Sequence, residues 1–219
     1  MKQSISELRA RASERKREDG VVGLFWRGLR WLGVYRHFIL LAGRDNRKLR
    51  EPSVPVECSK LEADRIDEYL AFRPGQSREL IRRRFADGEW CFVGRCDGRL
   101  AATSWVGRER AWLEFLDCEI LLADGVCYPH DTYALPEFRG LGIADAVSAF
   151  RTAASREAGY ELAVGLIEPE NRTAMRRSKR KRNRVVGQLD CIRLGPWRRF
   201  RIRIEAEGAG ELVRLPESQ

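Results

Sequence analysis

A strand, a glycine-bearing turn, a helix and a second strand are predicted to follow one another in the middle of the chain. The apolar pattern predicts the first strand over Tyr128–Leu135, the helix over Ile143–Ala158 and the second strand over Tyr160–Ile167. Two strands joined through a helix normally pair in parallel, with the helix packed on one face of their sheet. This unit restricts the fold most, because it requires a sheet with a parallel pair.

The segments around this unit extend it to a larger mixed sheet. Helices are predicted over Leu61–Phe72 and Ser77–Ala86, and they precede a hairpin whose turn is Asp97-Gly98. The pattern leaves Ala111–Leu122 undecided, and Asn171–Arg182 is predicted as a helix with Asn171 as its N-cap. The predicted fold class is α/β, with a mixed, partly parallel sheet flanked by helices. Further strands are predicted over Val54–Cys58, Val185–Leu194 and Trp197–Ile204.

The first fifty residues are predicted to form a basic helical extension. A capping pattern at Ser4 and Glu7 opens a polar helix, and Val21–Leu41 has the spacing of a basic amphipathic helix with aromatic side chains. Arginines in this run make a membrane-spanning helix too costly. Its apolar face suits an anionic membrane surface and packing against the following domain or a second subunit equally well. Because prolines follow at 52 and 55, we predict an extension (1–50), a domain (51–203) and an acidic tail (204–219).

Charge is distributed unevenly along the chain. Residues 1–50 carry 13 basic and 5 acidic side chains, residues 51–171 carry 14 and 22, residues 172–203 carry 13 and 1, and residues 204–219 carry 1 and 4. Two basic blocks therefore flank an acidic middle. This asymmetry indicates an anionic partner, whether phosphate, lipid headgroup, nucleic acid or acidic protein, although a solvated basic surface explains the first block equally well.

Cysteine and histidine usage limits the chemistry. The six cysteines show no C-x-x-C spacing, which favours reduced thiols in a reducing compartment. His37 and His130 are the two histidines, so a His-rich zinc centre is excluded and no metal site is predicted. Met1 leads into polar sequence without an apolar signal segment, so we expect a cytoplasmic protein, with the inner membrane face as a peripheral site.

The turn between the first strand and the helix has the composition of an anion-binding loop. Gly140 and Gly142 let the backbone approach an oxygen anion closely, and the first N–H groups of the helix point at it. A pyrophosphate is the natural ligand, although a plain strand–turn–helix junction uses similar residues. No Gly-Lys-Ser/Thr follows, so the loop is not a P-loop.

The run Tyr133–Ala144 resembles motif A of the GNAT family of N-acetyltransferases, because Arg139, Gly142 and Ala144 fill the positions of its Arg/Gln-x-x-Gly-x-Gly/Ala signature. The run that begins Pro169-Glu170-Asn171 resembles the start of the family's motif B. The resemblance covers about residues 54–203. It implies two splayed central strands and transfer of an acetyl or other acyl group from CoA to an amine by direct attack, without a metal.

The resemblance also implies which residues bind the acyl donor. Backbone groups of Ala134 and Leu135 would pair with the pantetheine arm, and Asn171 would touch that arm or order the helix that follows it. The pyrophosphate would be held by N–H groups of a continuous set of loop residues: Arg139, Gly140, Leu141, Gly142, Ile143 and Ala144.

The sequence departs from the family where the general acid is usually found. Many relatives carry a Tyr seven residues after the motif B Asn, and this chain has Ser178 there, whose hydroxyl has no useful acidity near neutral pH. Protonation of the thiolate would then fall to water or to another side chain. His130 and Asp131 are the candidates for the base. The alternative is that His130 only stands at the entry of the strand and is capped by Asp131.

The basic run from Arg172 to Arg184 holds eight Lys and Arg side chains, more than one CoA can use. It is predicted to recruit an acidic acyl-carrier protein, to hold an anionic acceptor or to bind nucleic acid, or it is a solvated helix face. Nucleic acid is the weakest of these, because no aromatic side chain interrupts the run. The acceptor is predicted to be a small-molecule or lipid-like amine. The alternative function is a catalytically weakened module that binds a membrane through 21–41, a carrier protein or nucleic acid.

Overall fold

The computed structural model describes residues 32, 34–44, 51–114, 116–180, 183–194, 197–204 and 212–214. The helices are α1 Ile66–Phe72, α2 Arg78–Ala86, α3 Ile143–Glu157 and α4 Arg172–Arg180, with short 3-10 turns at Ala63–Arg65 and Pro136–Phe138. The strands are β1 Tyr35–Gly43, β2 Glu57–Leu61, β3 Trp90–Cys96, β4 Arg99–Gly107, β5 Arg110–Leu113, β6 Cys118–Leu122, β7 Val126–Ala134, β8 Leu162–Ile167, β9 Arg184–Leu194, β10 Trp197–Ile204 and β11 Val213–Arg214.

Eight strands form one mixed sheet in the spatial order β10-β9-β1-β8-β7-β4-β3-β2, and β11, β6 and β5 form a second, smaller sheet. The pair β7·β8 is parallel, and the other pairs described are antiparallel. The predicted α/β class with a partly parallel sheet is therefore confirmed.

The helices lie on both faces of the larger sheet. Trp105 belongs to a core cluster with Tyr69 and Ile81 from α1 and α2, whereas its neighbour Val106 packs with Val147 of α3. Successive side chains of a strand point to opposite faces, so α1 and α2 lie on one face and α3 on the other. The crossovers β7–α3–β8 and β8–α4–β9 move in the same direction along the sheet, and the right-handed rule therefore places α4 on the α3 face.

The helix predicted over Val21–Leu41 is wrong for its last third, because Tyr35–Gly43 is the strand β1. This strand lies between β8 and β9, with Ile39 opposite both Ile167 and Gln188. Its alternate residues Phe38, Leu40 and Ala42 are buried in the core beneath the smaller sheet. Pairing with strands more than a hundred residues away overrides the local helical pattern. The predicted extension 1–50 thus contributes a strand to the sheet, and the polar helix that begins near Ser4 lies outside the described residues.

Several local predictions are confirmed. Asp97 and Gly98 have φ of 50° and 75° and close the β3–β4 hairpin, as a two-residue turn requires. The helix predicted over Ser77–Ala86 is α2, Arg78–Ala86, and Ser77 is its N-cap, which accepts a hydrogen bond from the Leu80 N–H at 3.3 Å. The undecided stretch Ala111–Leu122 belongs to the β5–β6 hairpin.

Among the helices of the described residues, none is long and apolar enough to cross a membrane.

Candidate functional site

A gap opens between the two parallel strands at the centre of the sheet. β7 and β8 pair at Val126 with Leu162 and at Cys127 with Ala163, and their register ends there although β7 runs on to Ala134. Beyond this point β7 remains paired with β4 and β8 with β1. The two strands therefore diverge towards their C-terminal ends, which confirms the predicted splayed centre of the sheet.

The backbone of β7 faces this gap at Ala134. The Leu135 N–H donates to the Ala101 carbonyl at 3.1 Å, and the Leu135 carbonyl accepts from the Phe138 N–H at 3.0 Å. Hydrogen-bonded and non-hydrogen-bonded pairs alternate along an antiparallel ladder, so Ala134, opposite Ala102, directs its N–H and carbonyl towards the gap. Of the two residues predicted to pair with an extended ligand, Ala134 keeps an N–H for it, whereas both backbone groups of Leu135 are already engaged.

The loop after β7 depends on two glycines in the left-handed region. Gly140 and Gly142 both have φ of 82°, and Gly142 is the N-cap of α3. A Cβ on Gly142 would lie 3.0 Å from the Glu51 carbonyl oxygen and 3.0 Å from the Pro52 Cα, whereas one on Gly140 would meet no atom within 4 Å. The Ser53 N–H also donates to the Leu141 carbonyl at 2.9 Å. The segment 51–53 thus supports the loop on one side, and the loop is open at Gly140.

The loop presents a row of N–H groups that have no backbone acceptor. Among the described residues, no carbonyl accepts from the N–H groups of Gly140–Ala144, whereas the Asp145 N–H donates to the Gly142 carbonyl at 3.1 Å. These groups lie at the positive end of the α3 dipole, so they suit a diphosphate. The Arg139 N–H was also predicted to hold the pyrophosphate, but it donates to the Pro136 carbonyl at 3.2 Å. The Arg139 Nε donates to the Ala134 carbonyl at 3.2 Å.

A β-bulge in the diverging part of β7 changes which side chains face α1 and α2. The register with β4 shifts, so that Asp131 and Thr132 lie between the pairs that Thr103 and Trp105 make. Asp131 has φ of 44°. His130 lies opposite Trp105 on the α1–α2 face, and Asp131 contacts arginines of that same face, although neighbours in a regular strand point to opposite faces.

His130 is paired with a buried glutamate, Glu89, which no sequence pattern indicates. Its Nε2 lies 2.9 Å from the Glu89 Oε2, and Glu89 is 2% exposed. The Glu89 Oε1 is buried without a hydrogen-bond partner among the described residues. The Tyr128 ring stacks on His130 at 5.4 Å, and burial raises the pKa of the Tyr128 hydroxyl. Nothing in the sequence signals the pair, because 41 residues separate its members.

Asp131 is held by two guanidiniums instead of capping His130. It accepts from the Arg73 Nη1 at 2.5 Å and from the Arg84 Nη1 at 2.9 Å, and Arg84, which is 4% exposed, also pairs with Glu114. Burial raises the pKa of Asp131, but the hydrogen bonds and charges of Arg84 and Arg73 outweigh it and hold that pKa below its usual range. The ionised Asp131 carboxylate is therefore compensated by the two arginines, and it is a poor proton acceptor near neutral pH.

The predicted residues of motif B lie on α4. The Asn171 Oδ1 accepts from the Ala174 N–H at 3.0 Å, which confirms Asn171 as the N-cap. Ser178 is 6% exposed, and its carbonyl accepts from the Asn183 N–H at 3.2 Å. A contact of Asn171 with a ligand stays a prediction, and so does protonation of the thiolate by water or by a side chain other than Ser178. Across the described part of the chain, no group of three His, Cys, Asp or Glu side chains is arranged to hold a metal ion.

The chain is similar to solved structures of acetyltransferases at low sequence identity. A protein described as an acetyltransferase of the GNAT family from Novosphingobium aromaticivorans is 19% identical, with 71% of this chain and 63% of that chain covered and a TM-score of 0.46. An aminoglycoside N-acetyltransferase in complex with CoA is 17% identical, with 57% and 89% covered and a TM-score of 0.44.

A conserved protein of unknown function from Staphylococcus epidermidis is 15% identical, with 74% of this chain and 63% of that chain covered and a TM-score of 0.46. The chain thus spans less than two thirds of the length of this protein and of the Novosphingobium protein. No protein-family model matches the chain, and no curated protein matches it.

Proposed function

We propose that the chain is an N-acyltransferase that moves an acetyl or other acyl group from CoA to an amine. The observation that carries the proposal is the gap between β7 and β8, which ends beside the free N–H groups of Gly140–Ala144. An acyl-CoA has the matching chemistry, because it joins a diphosphate to an extended arm that contains amides. A diphosphate suits the N–H row, and the amide arm suits an unpaired strand backbone.

The donor-binding roles follow from these groups. Gly140, Leu141, Gly142, Ile143 and Ala144 hold the diphosphate through their N–H groups, and the Ala134 N–H pairs with an amide of the arm. Arg139, which is exposed and bonded to the Ala134 carbonyl, adds positive charge where the loop meets the gap. The thioester supplies the activated acyl group when the donor is bound.

We assign the base to His130. An amine attacks a thioester only when it is neutral, so the enzyme must remove its ammonium proton. If the His130 Nε2–H donates to Glu89, the other ring nitrogen keeps a lone pair and accepts that proton directly or through water. Glu89 is then a positioning residue that fixes the tautomer and orientation of the imidazole.

The remaining predicted groups take supporting roles. Asp131 and its two arginines hold the bulge next to His130, which lies on the α1–α2 face. The departing thiolate receives its proton from water, and Ser178 acts at most as a hydrogen-bond donor, because a serine hydroxyl is not acidic near neutral pH. Donor and acceptor then meet through the gap from opposite faces of the sheet.

Isothermal titration with acetyl-CoA and CoA tests the proposal. We expect binding to the wild type and a loss of roughly tenfold to a hundredfold in affinity for Arg139→Glu, because each charged hydrogen bond contributes about 1.5–3 kcal/mol. The matched control is Arg82→Glu, which changes an exposed side chain on α2 in the same way and leaves the affinity for CoA unchanged. A wild type that binds neither compound, or an Arg139→Glu variant that binds like the wild type, contradicts the proposal.

A second candidate is a binding module that keeps this fold but has lost turnover. Two observations favour it: Ser178 is buried where relatives carry a general acid, and Arg172, Arg176 and Lys179 are exposed on α4. Such a surface suits an acidic acyl-carrier protein or another polyanion, and its binding weakens with salt. Salt-dependent binding to a polyanion without acyl transfer to any of a panel of amines favours the module over the enzyme.

A further inference from the structure

The three most exposed large apolar side chains of the described residues lie at one corner of the larger sheet. Leu32 is 65% exposed, Leu194 56% and Trp197 50%. Leu194 and Trp197 are opposite each other where β9 and β10 meet. The Arg193 N–H donates to the Val34 carbonyl at 2.7 Å, which places Val34, two residues after Leu32, beside Arg193. We call Leu32, Leu194 and Trp197 the apolar corner.

The apolar corner projects from the same edge of the sheet as the open end of the gap. β1 is antiparallel to β8, with Ile39 opposite Ile167, so the start of β1 lies beside the C-terminal end of β8. β9 is antiparallel to β1, with Ile192 opposite Tyr35, so the end of β9 lies there as well. Leu194 and Trp197 therefore extend beyond the edge at which β7 and β8 diverge.

Positive charge surrounds the apolar corner. The exposed Arg193 directly precedes Leu194, and the exposed Arg199 lies two residues after Trp197. Arg36 is 43% exposed and ion-paired with Glu168 at 3.7 Å. The neighbouring carboxylate on β9, Asp190, is fully engaged. It accepts from the Tyr35 hydroxyl at 2.5 Å, is ion-paired with Arg203 at 2.7 Å and lies 2.7 Å from the His37 Nδ1. The surface thus combines protruding apolar side chains with arginines and lacks a free carboxylate among its described residues.

We propose that the apolar corner docks on a lipid surface rich in anionic headgroups. Trp is favoured at the boundary of headgroups and acyl chains, leucines gain free energy when they enter it, and each nearby Arg attracts anionic lipid. Single-stranded nucleic acid would use the Trp and the arginines, but two protruding leucines offer nothing to stacked bases. The docking goes beyond the proposed function and does not depend on it.

Cosedimentation of the full chain with vesicles tests the docking. The vesicles contain phosphatidylcholine alone or phosphatidylcholine mixed with phosphatidylglycerol. We expect binding to the anionic vesicles that weakens with salt, and a loss of roughly tenfold or more in the partition coefficient for Leu194→Ser/Trp197→Ser. The matched control is Leu121→Ser/Phe150→Ser, which removes exposed apolar side chains elsewhere and leaves partitioning unchanged. Arg193→Glu/Arg199→Glu is expected to remove the preference for anionic vesicles.

Circular dichroism and CoA titration on the same variants separate the docking from folding and from donor binding. Corner variants that fold and bind CoA like the wild type but no longer cosediment with the anionic vesicles support the docking. The proposal is overturned by a wild type that does not bind anionic vesicles, by a corner variant that partitions like the wild type, or by binding to a single-stranded oligonucleotide in place of vesicles.

Discussion

The polar side chains at the bulge of β7 are paired with one another, whereas the backbone N–H groups of the loop after β7 have no backbone acceptor. At the bulge, Asp131 is enclosed by Arg73 and Arg84, and His130 is paired with Glu89. Six residues beyond the end of β7, the N–H groups that begin at Gly140 find no backbone acceptor within the described chain. The charged groups of the first region are paired with one another, and the N–H groups of the second suit an anionic ligand.

This difference separates the residues that support the candidate site from the groups proposed to bind the acyl donor. A buried carboxylate that accepts from two guanidiniums is rigid, and removing either partner leaves an uncompensated charge. Free N–H groups at a helix start contribute little to folding, and they gain their hydrogen bonds when an anion arrives. Substitutions at the bulge should therefore change stability and turnover, and those at the open side of the loop should mainly change donor affinity.

The largest expected effect is on stability, at the bulge. Arg84→Met leaves Asp131 and Glu114 without their shared partner, and we expect a loss of about 3–5 kcal/mol in the free energy of unfolding. Urea denaturation measures it. Arg78→Met, which breaks an exposed pair with Asp67, should cost no more than about 1 kcal/mol. Equal losses for the two variants would remove the distinction between the bulge and the surface.

A comparison of the two glycines sharpens the description of the loop. Gly142→Ala and Gly140→Ala meet the same backbone strain at φ of 82°, about 1–2 kcal/mol, but the added methyl group contacts Glu51 and Pro52 only at 142. We expect Gly142→Ala to be the more destabilising and to weaken CoA binding more. If the two variants behave alike in urea denaturation and in CoA titration, the segment 51–53 does not support the loop.

Turnover tests the role of the Glu89–His130 pair. Glu89→Gln keeps the size of the side chain and removes the charge, and we expect kcat to fall about tenfold to a hundredfold, as for lost orienting partners in other sites. The dissociation constant of CoA should not change, because the pair lies away from the diphosphate loop. His130→Gln should lower kcat at least as much. A Glu89→Gln variant that alters CoA affinity but not kcat would contradict the positioning role.

The smallest expected effect is the dependence of stability on pH at Asp131. Its folded-state pKa is lowered by the two arginines, so its ionised form stabilises the fold above the unfolded-state pKa, about 4, and this contribution is lost as pH falls through the lower folded-state pKa. Asp131→Asn should therefore be less stable than the wild type at neutral pH, and the difference should narrow in acid. Urea denaturation from pH 7 to pH 3 measures it, and a constant difference would exclude the linkage.

Features that depend on neighbouring residues could be predicted from the sequence. The Asp97-Gly98 turn, the Asn171 cap and the glycine bend before α3 are set by dihedral preferences and by a side chain that reaches a backbone group three residues away. The strand–helix–strand unit was predictable for the same reason, since its apolar spacing is local. These elements predict the α/β fold and the anion-binding loop.

Features that depend on distant partners were decided only by the tertiary structure. The run Tyr35–Gly43 has an apolar pattern that also suits a helix, and it is a strand because β8 and β9 pair with both of its edges. The bulge at Asp131 and the Glu89–His130 pair likewise arise where β4, α2 and β7 meet. Ladder hydrogen bonds and buried charges take their free energy from groups far away in sequence, so no local pattern records them.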